Sequence, residues 1–210
     1  MATDLILACH GQSVQRENGR LLGWWTDVPL SPLGRRQALL LGGRLQRDAD
    51  IQSLYTSPLS RARETASLIG DCVRVTPIVE PALRELDSGD LAGLSYEEAR
   101  TRFPDLIVHG KVSADGRIPG GESYADLHHR VEWAIARMVK RSPDHQIAVI
   151  THGGPIVAYL RAFMGYEPEA NHKPRFVCNP TSVHHLRLEG LHEKTVVSLN
   201  DIAHLSDMPT

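Results

Sequence analysis

The sequence is poor in the features that mark several protein classes. Cysteine is scarce: Cys9, Cys72 and Cys178 lie far apart, with no Cys-x-x-Cys pair. So odd and scattered a set excludes a disulfide framework or a structural zinc site and fits a reducing compartment. An excess of one charge is also missing, since 23 Lys and Arg face 25 Asp and Glu, for a formal net charge of −2. A dedicated nucleic-acid binder would carry a basic surplus, so no nucleic-acid partner is expected. Long apolar runs are absent too. The stretch 147–151 stops at His152 and two glycines, and Met1–Ala8 lacks the basic start and cleavage site of a signal peptide. These absences predict a soluble, cytoplasmic protein with no membrane partner.

What is present describes an ordinary globule: 210 residues, 41% hydrophobic and 23% charged, enough for one domain with a sizeable core. Elements alternate along it. Residues 4–9 read as a buried strand, and Ser31-Pro32 reads as a helix start, with Leu33, Ala38, Leu41 and Leu45 carrying its apolar face to about residue 47. A strand at 51–56, a helix at 58–69 and a strand at 73–79 follow. The segment 80–122 is irregular, rich in Gly, Pro and charge, with one helical pattern near 95–103; so irregular a stretch is expected to be a lid or specificity region. Leu127, Val131, Ala134, Ile135 and Met138 mark a helix over 122–141. A strand at 146–151, a helix at 155–164 and a hairpin of 182–188 with 194–199 complete the chain. Alternation of this kind predicts a three-layer α/β/α sandwich with a mainly parallel central sheet, forming one domain over 1–210.

In such a sheet ligands bind beyond the carboxyl ends of the strands. Three polar groups stand there: His10 in Cys9-His10-Gly11, Arg61 after Ser57-Pro58-Leu59-Ser60, and His152 in Thr151-His152-Gly153-Gly154. Glycine after each histidine permits close approach of a ligand to the backbone, and an arginine at a helix start suits an anion. Phosphoryl transfer to a histidine nucleophile is the chemistry these residues suggest.

At this point the chain resembles the histidine phosphatase superfamily, also called phosphoglycerate mutase-like, over nearly its whole length. The matching stretches are His10-Gly11-x-Ser13, Gly23-Trp24, Asp27-x-Pro-Leu-Ser-x-x-Gly34, Gln37-Ala38, and Tyr55-Thr-Ser-Pro-Leu-x-Arg61-Ala62-x-Glu64-Thr65-Ala66. Leu83-Arg84-Glu85-Leu86, Pro119-Gly120-Gly121-Glu122-Ser123 and Thr151-His152-Gly153-Gly154 follow in the family's order. The resemblance implies that His10 becomes a phosphohistidine, that Arg61 and His152 hold the phosphoryl oxygens, and that Glu85 protonates the leaving oxygen and then assists water. It implies a phosphate pocket of Cys9, Gly11, Arg16, Arg61, His152 and Gly153, a small phosphorylated metabolite as substrate, no metal or other cofactor, and a homodimer.

The sequence departs from the family's pattern at Cys9, where the family has arginine, at Gln12, and at Arg16, where it has asparagine. Arg16 is the candidate to restore the missing charge, and Asn18 the candidate stand-in for the asparagine. Losing one preorganised donor to a developing anion costs roughly 3–4 kcal/mol. The first reading is therefore a phosphatase, with a weakly active or repurposed phospho-ligand binder as the alternative. A mutase is the second alternative, and the compact, acidic stretch 83–99 speaks against it. Plainer roles stand beside the sharp ones: Arg61 paired with Glu64 on its helix, Cys9 as a small buried hydrophobe, and Trp24-Trp25 in packing. His128-His129 and His184-His185 point in divergent directions, which disfavours a shared metal ion.

Overall fold

Strand β1 (Ala2–Cys9) is apolar on both faces because it lies between two layers of helices. Its side chains alternate. Leu5, Leu7 and Cys9 join one core cluster with Leu127, Val131, Ile135, Ile156 and Leu160. Ile6 and Ala8 join another with Leu41, Leu45, Ala66 and Ile69. Helices α1 (Pro32–Asp48) and α2 (Ser60–Val73) thus cover one face of the sheet, while α4 (Tyr124–Arg141) and α5 (Gly153–Phe163) cover the other. The computed structural model describes residues 2–14, 27–108, 111–112, 117–168, 174–189, 193–206 and 208.

The sheet also contains β2 (Ile51–Thr56), β3 (Ile78–Val79), β6 (Gln146–Thr151), β7 (Val183–Glu189) and β8 (Glu193–Asp201), in the order β3-β2-β6-β1-β7-β8. The pairings among β3, β2, β6 and β1 are parallel, and β7 and β8 add an antiparallel edge. This is the expected three-layer sandwich with a mainly parallel sheet. No helix among the described residues is long and apolar enough to cross a membrane.

Two local expectations need correction. The strand expected at 73–79 is reduced to Ile78–Val79, because α2 continues to Val73 and ends on Arg74 in the left-handed region, at φ 60°. The valines that suggest a strand, Val73 and Val75, pack instead under the helix layer. Helix α2 begins at Ser60 and not at Pro58, and its N-cap residue Leu59 offers no side-chain cap. Asp27 supplies one from a distant loop, accepting the Ser60 amide at 2.6 Å and the Ser60 hydroxyl at 2.7 Å.

Within 80–122 the chain forms two 3-10 turns, Pro81–Leu83 and Gly89–Leu91, then helix α3 (Tyr96–Arg102) and the short pair β4 (Ile107–Val108) and β5 (Lys111–Val112). Leu91, Ala99, Leu106 and Ile118 give this segment a small core of its own.

Candidate active site

Strands β1 and β6 run parallel with Cys9 opposite Thr151, so the next residue of each, His10 and His152, leaves the sheet at the same level. Their rings meet edge to face with centroids 5.1 Å apart. The backbone of His10 is held on both sides, its amide donating to Thr151 O at 2.9 Å and its carbonyl accepting the Thr181 amide at 3.2 Å. The ring is fixed as well. Nδ1 donates to the Gly11 carbonyl at 2.6 Å, which leaves the lone pair on Nε2, and Arg61 Nε donates to that atom at 3.2 Å. Gly11 lies so close to Gly34 that a Cβ would overlap the Gly34 carbonyl, and its amide donates to Thr65 Oγ1 at 3.1 Å.

Arg61 lies in the first turn of α2 and is 4% exposed. Burial draws its guanidinium below the ordinary value, against Glu85, Asp27 and Cys9, yet an arginine here remains a cation. Glu64 is engaged elsewhere, bonding Arg35 and accepting the Leu30 amide at 3.3 Å. Its partners are therefore not those of the plainer sequence reading.

His152 is fully buried, with Nε2 2.8 Å from Ser57 Oγ and, among the described residues, no hydrogen-bond partner at Nδ1. Ser57 Oγ also accepts the Leu59 amide at 3.3 Å. Burial comes first, and a proton on His10 together with the Arg61 and Arg130 charges would add to it; His152 is held well below the usual histidine range and is neutral at neutral pH. In the tautomer in which Ser57 donates its hydroxyl proton to Nε2, the imidazole proton stands on Nδ1, free to donate.

Glu85 comes from the segment after the 81–83 turn. Its Oε1 accepts its neighbour's amide, Leu86 N, at 2.8 Å, and Oε2 accepts the Gly154 amide at the start of α5 at 3.2 Å. Any Cβ on residue 154 would collide with the carboxylate, so glycine allows this approach. Burial raises the Glu85 carboxyl above its ordinary value, partly offset by those two amides and by Arg61 and Arg130. Thr151 Oγ1 donates to Leu83 O at 2.7 Å and so ties the end of β6 to this segment.

The structure therefore gathers His10, Arg61, Glu85 and His152 around the ends of three strands. Gly153 opens α5, near Cys178, whose thiol burial pushes up to about 12, Glu85 adding to the shift. Cys9 is 6% exposed and belongs to the apolar cluster. Arg16, Asn18 and Trp24-Trp25 lie outside the described residues. Among the described residues no cluster of three or more metal-ligating side chains occurs. Arg130, Glu122 and Ser57 carry contacts that sequence reasoning did not assign. A faint signal exists for Arg130, a cation beside the apolar stripe of α4 formed by Leu127, Val131 and Ala134.

Residues 5–202 match the family model described as the histidine phosphatase superfamily (branch 1). The chain is 33% identical over 208 residues to phosphoglycerate mutase-like protein 4 of Arabidopsis thaliana, covering 97% of this chain and 87% of that one. It is 29% identical over 211 residues to the metal-independent phosphoserine phosphatase of the same plant, covering 98% and 84%. The solved structure of YhfR from Bacillus stearothermophilus matches with a TM-score of 0.84 at 28% identity, over 97% of this chain and 100% of that one. The sandwich thus has its counterpart among solved structures, and the match spans nearly the whole sequence: the chain belongs to the histidine phosphatase superfamily.

Proposed function

We propose that the protein hydrolyses a small phosphate monoester through a phosphohistidine at His10. One observation carries this reading: the Nδ1 bond to Gly11 O leaves an unprotonated Nε2 beside the Arg61 guanidinium. In the first step the Nε2 lone pair forms a bond to phosphorus and the ester P–O bond breaks. Its electron pair goes to the leaving oxygen, which takes the proton of the Glu85 carboxyl. In the second step the Glu85 carboxylate takes a proton from water as the water oxygen attacks phosphorus. The P–N bond then breaks, the pair returns to Nε2, and inorganic phosphate leaves.

The raised Glu85 carboxyl suits the proton donor, and Arg61 with the His152 imidazole suits the phosphoryl oxygens. Imidazole and guanidinium carry these steps, so the reading requires no metal ion. An alkyl phosphate on a small metabolite is the proposed substrate class, in keeping with the relative named as a phosphoserine phosphatase. Kinship with a phosphoglycerate mutase-like protein favours a second reading, transfer from His10 back to an alcohol.

The test is an alkaline quench of protein mixed with a panel of phosphate monoesters, followed by intact mass. An acid-labile phosphoryl adduct is expected on the protein and not on His10→Ala. Folded protein that forms no adduct with any donor overturns the reading. Release of inorganic phosphate without an isomeric phosphoester product separates the phosphatase from the mutase.

A further inference from the structure

Arg130 belongs to none of the motif stretches that carry the family resemblance, yet its guanidinium is fully engaged. It projects from the second turn of α4 toward the Glu85 segment. Nε donates to Glu122 Oε1 at 2.6 Å, and Nη2 to Glu122 Oε2 at 2.8 Å and to Glu85 O at 3.0 Å. Nη1 donates to Ala82 O at 2.7 Å and Arg84 O at 2.9 Å. An arginine has five N–H donors, so every one has an acceptor. Three of the acceptors are backbone carbonyls of the four-residue stretch 82–85.

Glu122 grips the other side of Glu85. Its Oε2 accepts the Asp87 amide at 3.1 Å, and its own amide donates to Asp87 O at 3.1 Å. The ion pair therefore holds the chain at residues 82, 84, 85 and 87, and leaves the Glu85 carboxyl to the Leu86 and Gly154 amides. A surface arginine meant for solubility would not be forked onto three main-chain carbonyls. A helix-capping role is excluded by position, since Arg130 lies well inside α4.

We infer that the Arg130–Glu122 pair is the positioning device for the proton donor: by clamping the carbonyls of 82, 84 and 85, Arg130 fixes where the Glu85 carboxyl stands relative to the leaving oxygen. The inference rests on Glu85 being that donor. Its chemical signature is selective. An ester that leaves as a weakly basic anion needs little proton donation, whereas one that leaves as a more basic anion depends on it. Loss of the clamp therefore weighs on the second kind. A residue that merely supports the fold depresses both alike.

The experiment compares p-nitrophenyl phosphate, with an acidic leaving phenol, and phenyl phosphate, with a less acidic one, on the full chain. For Arg130→Lys, kcat/KM with phenyl phosphate is expected to fall on the order of 100-fold, as for a catalytic group misplaced by about 1 Å. With p-nitrophenyl phosphate the fall is expected to stay within several-fold. Glu122→Gln, which keeps the shape of the pair and removes its charge, is expected to show the same selectivity at smaller size, and it serves if Arg130→Lys does not fold.

Glu85→Gln sets the reference. It is expected to show the leaving-group selectivity in full, and Arg130→Lys added to it is expected to cost little more. Equal losses on both esters for folded Arg130→Lys or Glu122→Gln, beside a selective Glu85→Gln, overturn the positioning role and leave Glu85 as donor. An unselective Glu85→Gln overturns the donor assignment itself.

Discussion

Two fully buried histidines, His152 just past the end of β6 and His184 within β7, are both lowered by burial, His184 to about 4. They differ in what remains unfilled. His184 belongs to the antiparallel edge, where Nδ1 accepts the Asn200 amide at 3.3 Å and Nε2 lies 3.4 Å from Ser182 Oγ. His152 follows the parallel strand β6 beside His10, and among the described residues its Nδ1 has no partner. Burial and neutral charge alone therefore do not mark a functional histidine. In the proposed mechanism the open hydrogen-bonding site beside His10 is what sets His152 apart, because a buried polar atom without a partner costs stability that a ligand can repay.

The sharpest way to break that comparison is to remove each ring. His152→Asn is expected to lower kcat/KM roughly 100- to 1000-fold, the cost of one donor to a developing anion, with a small change in Tm. His184→Asn is expected to do the reverse: activity per folded molecule within about twofold, and a stability loss of about 1–3 kcal/mol from broken buried hydrogen bonds, read by urea unfolding. Comparable activity losses in the two variants would erase the distinction.

The next effect concerns the reacting half alone. In the proposed mechanism Glu85 is protonated for the first step, and burial raises its carboxyl, so the donor survives above the ordinary carboxyl range. Phosphoenzyme formation from an alkyl ester is expected to fall about tenfold per pH unit once the pH exceeds the Glu85 value, and Glu85→Gln is expected to flatten that limb. Rapid-quench rates across pH check it.

The smallest effect is shared by both halves. His152, His184 and His204 are all lowered in the folded protein, the last two to about 4. Each therefore contributes stability that is present above the unfolded histidine value and is lost as pH falls through the folded one. Each adds at most about 1.4 kcal/mol per pH unit to the fall in unfolding free energy below pH ~6.5. His184→Gln is expected to make that slope shallower, as measured by urea midpoints between neutral and mildly acid pH.

Period and punctuation made much of this molecule legible. The double apolar face of 4–9, the Ser31-Pro32 start and the stripe of α4 each follow from local spacing, and each strand-end histidine is flagged by the glycine after it. Contacts between remote segments leave no such trace. The Asp27 cap on α2 spans 33 residues, and the Arg130 bonds to the Glu85 segment span 45 to 48. Val73 misled because one β-branched residue fits the last turn of a helix as well as the first of a strand. Cys9 is buried in the apolar cluster, as its place on a central strand leads one to expect for its plainer role.

The level finish of β1 and β6 makes the sheet a ruler. Neighbouring strands lie about 4.8 Å apart, and the His10 and His152 rings stand 5.1 Å apart. The gap between these two groups is thus inherited from main-chain pairing, a dimension that side-chain substitutions in the core hardly alter. One residue inserted between Thr151 and His152 would turn the imidazole away with the strands intact, whereas the same insertion between β7 and β8 would leave this spacing unchanged.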